Sequence, residues 1–195
     1  MGLEDIPLVV QVHMASFPGF FLSSLGGKFL TCFYTSVWKM ADCIPLVCRD
    51  LNGKLAGFAV GGVNPSGFYG RTLRRHLFKF CIASVLPLVR NPLILRRLWR
   101  GLYQSGASSK GPDVAGLFSI GVSPAVQGHG VGTMLLTAFI AEASDRGCKS
   151  VILTTDADNN GRANDFYWKL GFSVIRVYVT PEGRKMNEYS LDIQS

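Results

Sequence analysis

Val122-Ser123-Pro124-Ala125-Val126-Gln127-Gly128-His129-Gly130-Val131-Gly132 is the run from which the rest of the chain is best read. The apolar residues ahead of it, Gly116 to Val122, have the length and content of a buried strand. Pro124 stops that strand. Glycines at alternate positions then lead into a helix expected from about Thr133 to Arg146. Glycine lets a backbone pass close to a ligand. The first amides of a helix have no partner within it, and they carry its positive dipole end. Strand, glycine loop and helix start therefore form a seat for a pyrophosphate. Two nucleotide-binding patterns do not fit this run. A dinucleotide fingerprint needs a third glycine three residues after the second, where this chain has Thr133 or Leu135. A P-loop ends in Gly-Lys-Ser/Thr, whereas Gly132 is followed directly by Thr133.

The pattern that does fit is Gln127-x-x-Gly130-x-Gly132, preceded by Val122-x-Pro124. It resembles the acyl-coenzyme A loop of the GNAT family of N-acetyltransferases. A second block, Asn160-Gly161-Arg162-Ala163-Asn164-Asp165-Phe166-Tyr167-Trp168-Lys169-Leu170-Gly171-Phe172, is similar to that family's Asn-x-x-Ala-x-x-x-Tyr-x-x-x-Gly-Phe segment. It follows an expected strand, Ser150 to Thr155, as in the family. The resemblance is close over Val114 to Ile193 and looser over Leu3 to Gly62, and it finds no counterpart for Asn64 to Pro112. It implies an α/β fold: a central mixed, mostly antiparallel sheet flanked by helices, with a basic helical insertion at about 64–112 before the cofactor-binding strand. The family usually opens with a strand, which here is expected to be short or missing.

The resemblance also implies roles. Ile120 and Val122 offer backbone groups to the pantetheine arm of acetyl-CoA, as an added strand would. Gln127, Gly128, His129, Gly130, Val131, Gly132 and Thr133 line the pyrophosphate, with His129 a phosphate neighbour rather than a base. Asn160 fixes the cofactor arm near the second strand. Tyr167 stands where many members place the hydroxyl that protonates the coenzyme A thiolate; otherwise it is a buried core tyrosine beside Phe166. The general base is less legible. Ser119, on the strand before the glycine loop, cannot serve alone. Asp156 ends the next strand, where the central strands should part, and is placed to accept a proton directly or through water. It also fits a plain turn, Asp156-Ala157-Asp158-Asn159. His13 and His76 carry no supporting motif and read as structural.

Composition agrees with one domain spanning 1–195, long enough to bury a substantial core. Apolar content of 48% with only 17% charged residues argues against disorder. The five cysteines form no Cys-x-x-Cys pair, so reduced thiols in a cytoplasm are expected, with no metal site. The acidic start, Glu4 and Asp5, does not suit a signal peptide, and no uncharged apolar run reaches bilayer-spanning length.

Along the chain, helices are expected over Ile6 to Phe17 and Phe20 to Met40, and a hairpin over Ile44 to Arg49 and Leu55 to Val63. After the glycine-loop helix, capped by Gly147, come a helix Arg162 to Leu170 and a closing hairpin, Ser173 to Val179 with Glu188 to Ile193. The middle segment differs in charge. Leu51 to Pro112 contains no Asp or Glu, yet it holds ten of the 20 basic residues, among them Arg71, Arg74, Arg75, Arg96, Arg97 and Arg100. Two helices, about Thr72 to Leu86 and Asn91 to Tyr103, are expected there. They are either ordinary amphipathic cover or the contact for an anionic partner: a nucleotide diphosphate, a lipid diphosphate or an anionic membrane surface. The aromatics do not interleave with the basic residues as a nucleic-acid platform would. The opening Phe17-Pro18-Gly19-Phe20-Phe21-Leu22-Ser23-Ser24-Leu25-Gly26 and the end Thr154-Thr155-Asp156 resemble GNAT members linked to bacterial surface-polysaccharide biosynthesis. These features suggest a cytoplasmic acetyltransferase of a primary amine, with an amino sugar on a nucleotide or lipid diphosphate as acceptor. Peripheral contact with the inner membrane face and a homodimer are left open. The alternatives are a peptide, antibiotic or small-metabolite amine as acceptor, or a non-catalytic acyl-CoA-binding module.

Overall fold

In the computed structural model, which describes residues 1–66, 111–181 and 183–193, six strands form one mixed sheet. They are β1 (Cys43–Arg49), β2 (Leu55–Val63), β3 (Val114–Val122), β4 (Ser150–Asp156), β5 (Ser173–Val179) and β6 (Lys185–Asp192). Their order across the sheet is β1-β2-β3-β4-β6-β5. Every neighbouring pair is antiparallel except β3 and β4, which run parallel. The helices are α1 (Ile6–Ser16), α2 (Phe21–Ser24), α3 (Gly26–Trp38), α4 (Val131–Asp145) and α5 (Gly161–Lys169). The parallel pair needs a crossover, and α4 supplies it. This is the α/β architecture the sequence led us to expect. A single 3₁₀ turn, Leu3–Asp5, stands where an opening strand would be.

Each face of the sheet has its own core. On one side α1 and α3 place Val9, Phe29, Leu30, Tyr34 and Val37 against Phe58 and Val60 of β2. On the other, α4 and α5 place Leu135, Leu136, Phe139 and Tyr167 against Ala59, Ala115, Leu117, Val151 and Leu153. Fully burying one Leu, Val or Phe contributes roughly 1.5–3 kcal/mol, so these two layers supply most of the drive to fold. His13 belongs to the first layer. Its Nδ1 lies 2.7 Å from the Tyr34 hydroxyl, and burial lowers its pKa to about 4, so it sits there neutral.

Three expectations need correction. The helix read over Phe20 to Met40 is broken, because Gly26 takes φ +83°, a left-handed conformation outside the helical range. The glycine-loop helix begins at Val131 rather than Thr133, two residues closer to the glycines. The last strand starts at Lys185 rather than Glu188 because the Thr180 N–H donates to the Arg184 carbonyl at 2.8 Å, closing a tight turn. The helices expected over Thr72 to Leu86 and Asn91 to Tyr103 lie outside the described residues.

The pairing of β3 determines where the sheet opens. Leu117 faces Gly61 and Ser119 faces Val60, so Phe118 is an extra residue in β3 with no counterpart in β2. Such a bulge bends its strand and increases the local twist. Pairing of β3 with β4 ends at Leu117 and Leu153, although β3 runs on to Val122 and β4 to Asp156. The bulge also exchanges the faces of β3. Ala115 and Leu117 before it, and Ile120 and Val122 after it, all pack on the α4 side.

Close packing at this point can be tested. A Cβ on Gly61 would collide with the carbonyl of Gly116 and the ring of Phe139. Overpacking of this kind typically costs about 1–3 kcal/mol. Gly61→Ala should lower the urea midpoint accordingly, and an unchanged midpoint would show that α4 does not rest on the strand as described.

Candidate active site

Between β3 and β4 the sheet parts, leaving facing backbone edges without a partner strand among the described residues. The Ser123 N–H donates to the Ala56 carbonyl on the β2 side at 2.8 Å. By strand alternation the backbone groups of Val122 and Ile120 point the other way, into the gap. Sequence reading chose these two residues for the cofactor arm, with one difference in detail. The Val122 carbonyl already accepts from Ser16 Oγ at 3.0 Å and Gln127 Nε2 at 3.3 Å. Its N–H and both groups of Ile120 face no partner strand among the described residues.

The loop after β3 turns through a one-turn 3₁₀ segment, Pro124–Val126, and reaches α4 through Gly128 at φ +83° and Gly130 at φ +79°. Gly130 caps the helix, and its carbonyl accepts the first helical bond, from the Met134 N–H at 3.0 Å. The N–H groups of Val131, Gly132 and Thr133 therefore have no partner within the helix. No acidic residue occupies the first turn, and the space where Gly128 and Gly130 would carry a Cβ is open. Thr133 and His129 are exposed at the same place, and His129 Nδ1 lies 3.1 Å from the Gln127 carbonyl. Free amides, a positive dipole end and a backbone with no side chain above it fit the pyrophosphate of acetyl-CoA.

Helix α5 closes the far side of the gap. Asn164, which the sequence reading passed over, is its anchor. Its Nδ2 donates to the Asp156 carbonyl at 3.0 Å and the Asn160 carbonyl at 2.9 Å. Its Oδ1 accepts from Asn187 Nδ2 at 3.1 Å and the Tyr189 hydroxyl at 2.9 Å. One side chain thus ties α5 to the ends of β4 and β6. Asn160 begins the helix, and its Nδ2 donates to Thr155 Oγ1 at 2.6 Å. Almost one turn on from Asn164, Tyr167 is buried among Phe166, Phe172 and Tyr189, with ring centroids 5.2–5.9 Å away. Its hydroxyl has no hydrogen-bond partner among the described residues. Burial, and then Tyr189, push its pKa up to about 12, so the phenol keeps its proton through the neutral range.

Asp156 ends β4 at the edge of the gap, as expected, but its carboxylate is committed. Arg184 donates from Nε to Oδ1 at 3.0 Å and from Nη2 to Oδ2 at 2.6 Å. A bidentate pair of this kind is among the stronger side-chain contacts. The Arg184 guanidinium also lies 5.7 Å above the Phe20 ring, joining the β5–β6 turn to the connection between α1 and α2. Sequence gave no signal for Arg184, because its partner lies 28 residues away. Among the described residues no cluster of His, Cys, Asp or Glu is arranged to hold a metal, and no helix is long and apolar enough to cross a membrane.

Comparison with known proteins agrees with this geometry. Residues 9–172 match the model of the acetyltransferase (GNAT) family. A mycothiol acetyltransferase of Nocardia farcinica is 40% identical over 68 residues, 35% of this chain and 22% of the relative. That of Cellulomonas flavigena is 30% identical over 100 residues, 50% of this chain and 28% of the relative. The chain thus aligns with under a third of the length of either relative. In solved structures the same fold appears in the ribosomal-protein-S18-alanine N-acetyltransferase of Escherichia coli, with a TM-score of 0.60 at 20% identity, covering 100% of this chain and 92% of that one. An N-acetyltransferase from Staphylococcus aureus Mu50 gives a TM-score of 0.63 at 16% identity, covering 100% and 96% of the two chains. Family match, parted strands and glycine loop agree: the chain belongs to the GNAT family of acetyltransferases.

Proposed function

We propose that this protein transfers the acetyl group of acetyl-CoA to a primary amine. The observation that carries this reading is the parting of β3 and β4 between the glycine loop and Tyr167. Acetyl-CoA brings an activated acyl thioester. Ile120 and the Val122 N–H would hold its extended arm by strand-like hydrogen bonds. The amides of Val131, Gly132 and Thr133, reached through Gln127, Gly128, His129 and Gly130, would take its pyrophosphate. Asn160, at the start of α5, would stand beside the arm. Holding the thioester still in the gap removes much of the entropic cost of meeting the amine. Tyr167, whose phenol keeps its proton through the neutral range, would donate to the departing thiolate.

The acceptor we favour is an amino sugar carried on a nucleotide or lipid diphosphate, as in surface-polysaccharide biosynthesis. Support comes from the acid-free stretch Leu51 to Pro112, of which residues 67–110 lie outside the described part. The relatives named for mycothiol support a small-molecule amine rather than a protein. In this reading the enzyme works in the cytoplasm, and it meets the inner membrane face only if the acceptor is lipid-linked. A non-catalytic acyl-CoA-binding module would bind the donor and release no thiol.

Gly130→Asp should abolish coenzyme A binding measured by calorimetry. The variant combines a side chain at φ +79° with a negative charge in the phosphate seat. Unchanged affinity would remove the loop from the site.

Tyr167→Phe keeps the ring packing and removes the hydroxyl. Thiol release should fall at least about 10²-fold under conditions where chemistry limits the rate, with coenzyme A affinity unchanged. Because the phenol pKa is raised, the parent rate should show no loss from Tyr167 ionisation as pH climbs through the ordinary tyrosine range.

Replacing Arg96 and Arg97 together with Gln should raise the acceptor KM and leave coenzyme A affinity near normal. The parent's acceptor affinity should weaken with salt, since screening shortens the reach of exposed charges to about 8 Å at physiological ionic strength. Salt-insensitive acceptor binding would sink the anionic-acceptor reading and leave the acetyl transfer standing.

A further inference from the structure

We propose that Glu188 is the base for the acceptor: its carboxylate takes a proton from the ammonium group of the incoming amine, on the face of the sheet opposite Tyr167. This assignment rests on the acetyltransferase reading above. Glu188 lies on β6, only 2% exposed, and its Oε1 is buried without a hydrogen-bond partner among the described residues. A buried carboxylate oxygen left unpaired costs free energy, so such a group needs a reason to persist. Ligand chemistry supplies one, because an ammonium group completes the missing contact.

Its position agrees. Tyr189 packs against Tyr167 on the α5 side, so Glu188, one residue earlier, faces the side of α1 and α3. Register sets Thr154 of β4 on one side of it and Arg176 of β5 on the other. Thr154 is the first β4 residue beyond the last pair with β3, Leu117 with Leu153. Glu188 therefore stands one strand from the edge of the gap, at the level where the gap begins. Tyr178 lies near enough that Glu188 contributes, after burial, to raising the pKa of its phenol. The same face is bordered by Phe17, beside Gly121 of β3, and by Phe20, which meets Phe17 edge-on and lies under the Arg184 guanidinium.

Of the carboxylates on this face at the gap, Asp156 has both oxygens engaged by Arg184, whereas the Oε1 of Glu188 has no hydrogen-bond partner among the described residues. Among the described residues, the charged and titratable groups nearest Glu188 along these strands are Arg176, directly opposite on β5, Tyr178 two residues further, and Asp156, two residues along β4 from Thr154, with its partner Arg184. Donor and acceptor then reach the gap from opposite faces of one sheet. The ammonium nitrogen loses two protons in all. The first passes to Glu188 and on to water, freeing the lone pair that forms the C–N bond at the thioester carbonyl. The second leaves as the C–S bond breaks, and it restores the phenol of Tyr167 after that group has protonated the thiolate. An acceptor chosen by this carboxylate is a cationic amine rather than an alcohol.

The test uses the full chain with Glu188→Gln and Glu188→Asp. Thiol release is followed across pH with three probes: glucosamine, glucosamine 1-phosphate and a tripeptide with a free N-terminus. Glu188→Gln keeps the shape and removes the base. Turnover with the amine the parent uses should fall at least about 10²-fold and recover in part at high pH, where water deprotonates the amine. Acetyl-CoA affinity should not change, and Glu188→Asp should restore part of the rate. The melting temperature of Glu188→Gln should equal or exceed that of the parent, because an unpaired buried charge has gone. A lower melting temperature with both substrates bound more weakly would make Glu188 structural and overturn the proposal. An active parent with an equally active Glu188→Gln variant overturns the base alone. A parent that releases no thiol with any probe removes the acetyltransferase reading and this assignment together.

Discussion

One surplus residue in β3 governs the architecture. Without Phe118, β3 and β4 would have no local reason to stop pairing at Leu117 and Leu153, and the sheet would run closed to its end. With it, β3 bends while its far edge stays bonded to β2, so only the β4 side opens. The opened edges then carry backbone groups that need partners, as buried or half-buried amides always do. An extended, amide-bearing substrate arm meets that need in the way a missing strand would. The parting of the sheet is at once the place where its pairing stops and the seat proposed for the donor.

What surrounds the opening keeps it from closing or fraying. Asn164 fastens α5 to β4 and β6 with three hydrogen bonds, with a fourth back to the start of its own helix, which fixes the height of Tyr167 relative to the gap. Ser16 at the end of α1 holds the Val122 carbonyl, so the outer end of β3 is tied to a helix instead of to β4. Beneath both, the side chains of Leu136, Phe139, Phe172 and Val151 are fully or almost fully buried, which gives the rim a rigid floor. Rigidity here matters because misplacing reacting groups by about 1 Å can cost about 10²-fold in rate.

The fold was largely legible, and the site only in part, for physical reasons. Strands and the α4 helix announce themselves through local periodicity, and the glycine loop through residues that only a close backbone approach requires. The outcome at Phe118 was not legible, since an apolar residue in an apolar strand carries no mark of being one too many. Gly26 was visible as a glycine, but its left-handed φ was not, so one helix was read where two exist. Asp156 was found from its place at a strand end, yet the Arg184 that occupies it is distant in sequence and joined only by the turn of a hairpin. Glu188 reads as an ordinary polar residue alternating with Tyr189. Its burial is a property of how β5, β6 and β4 assemble.

That alternation makes the β5–β6 turn a ruler. Neighbouring residues of β6 project to opposite faces, so sliding the strand by one residue against β4 would send Tyr189 to the α1 side and Glu188 to the α5 side. Arg184, at the foot of β6, is gripped by Asp156 at the end of β4, which fixes the alignment where β6 begins. Pro181 and Gly183, in the short connection from Thr180 to Lys185, are exposed. Pro181 at its exposed tip can drift, but Arg184 cannot: without its grip on Asp156, the alignment that keeps the chemistry of the two faces apart would lose its anchor at the foot of β6.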